Sequence, residues 1–313
     1  MVYIRATGRC LINVHTANTE GAVGNYMALS KTFIVRRVDG GYEVQEEPVI
    51  SGNMIKHWHA VATIDILRSW GYNAICDSCR RHVMYRSVLG LNEEYEYLRK
   101  CAIEDLHGFL DAAKQIRRES IVKFSFMIPV EEQRSEFSSI THNRVDMKPD
   151  GSVGEAMMVM KREHASGIYG FLCSMDLAFA GVSLANPDKM LPEDDRKIRV
   201  KAAITALIDI LSGHFGAAQA RATPIIKTIE LICIVSKKPI PNAIHGFYGD
   251  YAEETASIMK TAIGRGLVKQ DEMRVAAVGR PIDIFKAEGV PVDGVKTASE
   301  ALAMILEASE WWL

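Results

Sequence analysis

The order of elements along the chain predicts an α+β fold with a ferredoxin-like β-α-β-β-α-β core and two insertions. Three observations support this. Two stretches with helical periodicity, one after Gly52 and one after Pro192, each stand between strand-like stretches. Four apolar runs, beginning at Tyr3, Ile121, Gly167 and Ile225, have strand character. The 313 residues are 48% hydrophobic and 24% charged, which suits a large folded core and excludes disorder or a disulfide-stapled miniprotein.

The first strand is marked by Tyr3, Ala6, Gly8, Cys10, Ile12 and Val14. Residues Thr16–Tyr26 are polar and glycine-bearing, and read as a loop. Lys31–Val38 and Tyr42–Ile50 flank Asp39-Gly40-Gly41, a hairpin signal. Ser51-Gly52-Asn53 ends that unit and opens a helix whose apolar face is Ile55, Trp58, Ala62 and Ile66. Residues 71–116 lose this regularity and form a first insertion. An extended run, Ile121–Val130, is followed by residues 131–160, which are polar and rich in turn formers such as Lys148-Pro149-Asp150-Gly151. A long protruding hairpin or loop is expected there, with the strand resuming over Gly167–Ala180.

The second helix starts near Pro192, with Glu193, Asp194 and Asp195 opposing the positive end of its dipole. Val200, Ala203, Ile204, Leu207, Ile208 and Leu211 form its apolar stripe, and Ser212-Gly213 ends it. A strongly apolar strand follows over Ile225–Val235. A helix over Tyr251–Gly264, a strand over Met273–Val278 and a helix from Ser299 to Trp311 complete the chain.

Lys and Arg total 37 against 39 Asp and Glu, a formal charge of -2, so no global basic field points to nucleic acid. The N-terminal MVYIRATGRCLINV reads as a strand rather than a signal peptide, and no run nears the roughly 18 apolar residues of a membrane span. Six cysteines in a chain of this length are no secreted disulfide framework, so a reducing cytoplasm is the default location. Cys10, Cys173 and Cys233 sit in apolar stretches as small buried hydrophobes.

The sequence contains no phosphate-binding loop, zinc-protease or nucleophile-elbow motif. Ser51-Gly52-Asn53-Met54-Ile55-Lys56-His57 sets a glycine and a helix N-terminus beside a lysine, which suits either a phosphate or a simple cap. Ser212-Gly213-His214-Phe215-Gly216 with Arg221 repeats the pattern, again with a plain turn as the alternative. Lys114, Arg117, Arg118 and Lys123 form a third basic group, and Thr141-His142-Asn143-Arg144 a fourth. Four such groups at element ends suit a track for a single-stranded backbone better than a base-reading surface. Tyr26 and Phe215 are the aromatic candidates for stacking, with core packing as the alternative for each. Cys76-Asp77-Ser78-Cys79 has zinc-knuckle spacing. Cys101, with His82 or His107, would complete a structural zinc site, the alternatives being a redox pair or two ordinary thiols.

Eight blocks in register carry a family resemblance. They are LINVHTANTEGAVGNYMALSKT (11–32), PVISGNMIKHWH (48–59), EDLHGFL (104–110), RRESIVKFSFMIP (117–129), THNRVD (141–146), SGIYGF (166–171), KAAITALIDILSGHFGAAQARATP (201–224) and IPNAIHGFYGDY (240–251). With them the chain resembles the DevR-type backbone subunits of archaeal type I-A CRISPR surveillance (Cascade) complexes, within the RAMP superfamily. The resemblance implies an RRM-like palm (1–70, 117–132 and 161–285), a helical finger insertion (71–116), a thumb hairpin (133–160) and a C-terminal helix (286–313). It implies no catalysis, and as partners CRISPR RNA, copies of the chain itself, other Cascade subunits, and target DNA through guide pairing. The implied RNA-contacting residues are Asn25, Lys31, Ser51, Gly52, Asn53, Lys56, His57, Arg117, Arg118, His142, Asn143, Arg144, Gly213, Gly216 and Arg221. The cysteine insertion is outside the family pattern, so zinc rests on spacing alone. Related subunits that cut RNA use a loop aspartate, whereas residues 13–26 here offer Glu20 and no aspartate. A RAMP-type endoribonuclease using His15 or His142 is the alternative, and a module that binds only proteins, through its Trp311-Trp312-Leu313 tail, is a third reading.

Overall fold

The computed structural model describes residues 2–85, 89–217 and 219–310, with the side chains of 22, 144–146 and 153–158 excepted. Strand β1 (Tyr3–His15) opens the chain, and β2 (Thr19–Val23) pairs antiparallel with β3 (Tyr26–Leu29). This hairpin replaces the loop expected over Thr16–Tyr26. Gly24, at φ +60°, and Asn25 link its two strands, which are too short for alternation to reveal. A separate ribbon, β4 (Lys31–Val38) and β5 (Gly41–Pro48), leads into α1 (Gly52–Ser69). Ser51 caps that helix, its Oγ accepting from the Met54 N–H at 3.2 Å.

The first insertion folds as α2 (Asp77–Arg80), α3 (Glu94–Lys100), α4 (Ala102–His107) and a small ribbon of β6 (Phe109–Asp111) with β7 (Ile116–Arg118). The extended run that follows divides into β8 (Val122–Phe124) and β9 (Ile128–Pro129). Between them the Ser125 N–H donates to the Leu172 carbonyl, and its Oγ accepts from the Leu172 N–H, both at 2.9 Å. Next, β10 (Glu136–Met147) and β11 (Val153–Met175) form one long hairpin closed around Lys148–Ser152. The strand expected over Gly167–Ala180 thus begins earlier and stops at Met175, and Leu177–Phe179 makes a 3₁₀ turn.

Helix α5 (Glu193–Leu211) follows, with Pro192 as its N-cap, then the short α6 (Gln219–Ala222) and β12 (Ile225–Ser236). The chain continues through α7 (Tyr251–Gly264), β13 (Met273–Val278), α8 (Pro281–Ala287), β14 (Asp293–Val295) and α9 (Ala298–Glu310). Residues 286–310 therefore include a strand, paired parallel with β13, besides the expected helix. Trp311, Trp312 and Leu313 lie outside the described residues.

In space the sheet runs β14-β13-β12-β1-β11-β3-β2, with β8, β9 and β10 also pairing with β11, each along its own stretch. The four strands joined through α1 and α5 take the spatial order β12-β1-β11-β8, each antiparallel to its neighbour. One face buries Ile4, Cys10, Ile12 and Phe171 beneath α1, α5 and α9, with Leu207 of α5 in the same core. The other face packs Tyr3, Ile232 and Ile234 against Ile240, Tyr251 and Met259. Here residues 240–250 cross directly over the sheet. The Thr7 hydroxyl donates to the Ile244 carbonyl at 2.7 Å, and Arg9 Nε to the Gly246 carbonyl at 2.8 Å. The crossing is close because Gly8, Gly170 and Gly246 meet, and a Cβ on Gly170 would fall 2.3 Å from the Gly246 backbone.

Candidate nucleic-acid interface

Asn18 gathers the first group of candidate residues. Its Oδ1 accepts from the Ser51 hydroxyl at 2.7 Å and the Ser51 N–H at 3.3 Å, while its Nδ2 donates to Ser30 Oγ. The loop after β1, the β3–β4 junction and the start of α1 are thereby tied together. Gly52 then lets the helix seat against β8, since a Cβ there would lie 2.4 Å from the Phe124 carbonyl oxygen. In front of this helix end lies an open groove of about 350 Å³, lined by Asn53, Lys56, Ser120 and Lys123 among others. A helix N-terminus with two lysines favours an anion. Glu119 also lines the groove and meets Lys123 Nζ at 3.1 Å, so the field there is tempered.

The end of α5 joins the same region. The Ala217 N–H donates to the Ala17 carbonyl at 3.1 Å, one residue from Asn18. The Trp58 ring lies between His57 and His214, with centroids 5.7 and 5.8 Å away. Gly213 and Gly216 are buried in this loop, Phe215 is core, and Arg221 is exposed on α6.

A second group forms around Glu163. Its carboxylate accepts from the Tyr26 hydroxyl, from the Leu29 N–H at 2.9 Å and from Lys31 Nζ at 3.4 Å. Burial alone would raise its pKa, but these donors outweigh it and hold the group below the usual carboxylate range. The Lys31 ammonium also sits 3.8 Å from the Phe137 ring centroid. Exposed Asn25 accepts at its carbonyl from the Lys161 N–H at 2.8 Å, and Lys161 pairs with Thr141, the neighbour of His142. Asn25, Lys31, His142 and Asn143 are thus brought to one corner of the long hairpin. The Arg144 side chain lies outside the described residues.

Two expected neighbours part company. Arg117 is exposed and opens onto a different groove, with Leu110 and Leu184. Arg118, expected at the surface beside it, is only 3% exposed. It reaches Glu94 at 2.6 Å, Asp105 at 2.7 Å and the carbonyls of Phe179 and Val182. Asp105 also accepts from Arg199 at 2.8 Å, so this network bolts the insertion to α5 and to the turn after β11. Sequence reasoning missed Asn18 and Glu163. The polar character of the Asn18 loop was its one signal, and nothing local marks Glu163.

Cys76, Cys79 and Cys101 converge, their sulfurs all within 4.8 Å of one another and buried. Hydrogen bonds from Cys101 and Cys79 lower the pKa of the Cys76 thiol, while the Cys101 thiol is pushed up to about 11 by its bond to Cys76. His107 is turned away, its Nε2 bonded to His59 Nδ1 at 2.9 Å. No described helix is long and apolar enough to cross a membrane.

Comparison with known proteins places this geometry in context. The profile of a family described as "CRISPR-associated negative auto-regulator DevR/Csa2" matches residues 6–256. The "CRISPR-associated protein Cas7/Cst2/DevR" of Methanocaldococcus jannaschii is 37% identical over 295 residues, covering 86% of this chain and 92% of that one. The "CRISPR-associated aCascade subunit Cas7/Csa2 2" of Saccharolobus solfataricus is 26% identical over 333 residues, covering 98% and 99%. A chain of a solved "CRISPR RNA-guided surveillance complex" shares the fold at a TM-score of 0.53 and 12% identity, over 98% of this chain and 99% of that one. With the profile spanning both helix ends, the insertion and the long hairpin, this chain belongs to the DevR/Csa2 family of CRISPR-associated proteins.

Proposed function

We propose that the protein is a non-catalytic CRISPR RNA-binding subunit that polymerises along the guide RNA as the backbone of an antiviral, DNA-targeting type I-A Cascade complex. The observation that carries this reading is the family match over residues 6–256. In that reading the β12-β1-β11-β8 unit is the RRM-like, ferredoxin-like palm, residues 71–116 the finger and 133–160 the thumb. RNA phosphates meet Ser51–His57 and the Gly213–Arg221 loop on one side, and Asn25, Lys31, His142, Asn143 and Arg144 on the other, with Arg117 at a separate contact. Arg118 is left to hold the finger in place. Copies of the chain and other Cascade subunits are its protein partners, target DNA is recognised by guide pairing, and the assembly is cytoplasmic.

The enzymatic alternative is less well supported by the placement of its residues. His15 is buried, with Nε2 2.9 Å from the Tyr169 hydroxyl, and burial drives its pKa down to about 4. Glu20 is exposed in β2, and its carboxylate accepts from the Lys31 N–H at 3.4 Å. The test is to incubate purified protein with end-labelled single-stranded RNA of guide length, and to run native and denaturing gels in parallel. Intact RNA in a ladder of slower complexes is expected. Shortened RNA that depends on His142 would replace this reading with an endoribonuclease, and free, uncut RNA would leave a protein-binding role.

A further inference from the structure

We propose that Cys76, Cys79 and Cys101 hold one zinc ion through three sulfur ligands, with a non-protein ligand in the fourth position. Zinc–thiolate bonds of about 2.3 Å in a tetrahedron set sulfur atoms about 3.8 Å apart. The three sulfurs already lie within 4.8 Å of one another, so small side-chain rotations complete the ligand shell. They come from two separate segments. Cys76 caps α2 and Cys79 lies within it, and the N–H groups of Cys79 and Ser78 hydrogen-bond to the Cys76 sulfur. Such N–H···S bonds orient and support a metal-bound thiolate. Cys101 stands at the extended junction of α3 and α4, φ −148° and ψ 118°, where the Ala102 N–H donates to the Ala74 carbonyl at 2.8 Å.

The ligand count follows from where the neighbouring histidines are. His82 occupies the third position after Cys79, but its Nε2 lies 3.0 Å from Asp65. His107 is held by His59. Among the described residues no fourth cysteine, histidine or carboxylate joins the group. Cys76 is 8% exposed while Cys79 and Cys101 are 0% exposed, so the Cys76 side is the one that admits a solvent ligand. Apolar Ile64, Leu67, Ile75 and Ile103 pack around the cluster and shield the rest. An ion here would pin residues 71–85 to the α3–α4 junction, coupling metal binding to the folding of the insertion.

The test uses full-length protein made in zinc-supplemented medium and purified without chelator. Elemental analysis should find about one zinc per chain, and X-ray absorption about three sulfurs with one nitrogen or oxygen neighbour. Cobalt exchanged for zinc should give an intense thiolate charge-transfer band. The Cys101→Ser variant should lose zinc at least about tenfold, and His82→Ala should retain it. Wild-type protein that is folded by circular dichroism yet holds neither zinc nor cobalt would overturn the site. So would a mass two daltons low under non-reducing conditions, which marks a disulfide. A fourth sulfur, or zinc loss in His82→Ala, would overturn the ligand assignment.

Discussion

Arg118 is enclosed completely at its side chain, and two carboxylates and three carbonyls meet its guanidinium. Removing it would leave Glu94 and Asp105 buried without that partner. Arg118→Ala should therefore cost about 3–5 kcal/mol in urea unfolding, against under about 0.5 kcal/mol for exposed Arg117→Ala. Equal, small losses would show that the network carries no stability. A sequence can show that two arginines are adjacent but not that one has distant carboxylates, which is why the pair read as one basic patch. Histidines supply the pH dependence. Burial lowers both His15 and His59 to about 4 from an ordinary 6.5, so between those values the unfolded chain binds more protons. Their contribution is complete above pH 6.5 and lost as pH falls towards 4, up to about 3 kcal/mol each. Urea midpoints measured across that range should fall steadily, and His15→Gln should flatten the slope by about one proton. A flat wild-type profile would contradict the assignment.

Elements differ in how openly the sequence declares them. Helix α5 was legible because its acidic first turn, apolar stripe and Ser-Gly stop all agree. The C-x-x-C spacing likewise foretold a cluster that Cys101 completes. The β2–β3 hairpin was not legible, because Glu163, far along the chain, holds Tyr26 and Leu29 in place. Strand β11 was half legible: its buried Tyr169–Met175 part is apolar, but its N-terminal half mixes Met157–Met160 with charged Lys161–Glu163 and pairs with the largely polar β10. At α1 the spacing suggested a cap or a phosphate site, and the structure adds the contact that makes Gly52 obligatory. Gly52→Ala should destabilise the protein by about 1–3 kcal/mol, since its methyl meets backbone rather than a movable side chain. A thermal midpoint within a degree of wild type would mean that α1 shifts without strain.

For the whole molecule, the proposed RNA track draws on separate groups rather than one basic face, in keeping with a formal charge of -2. Affinity for single-stranded RNA should fall steeply with salt, with a log–log slope of about −0.7 per phosphate neutralised. Lys56→Ala and Arg221→Ala should each reduce that slope by about 0.7 and weaken RNAs of different sequence alike. Unchanged affinity in both variants would remove these segments from the track. The crossing of residues 240–250 over Gly8 and Gly170 has a consequence for what such a protein can discriminate. One broad side of the sheet is roofed by its own chain, so flat bases find no stacking floor there. On the proposed reading, a bound RNA would rest on the rim, gripped by its sugar–phosphate edge with the letters left outward, and the protein would change messages without changing itself.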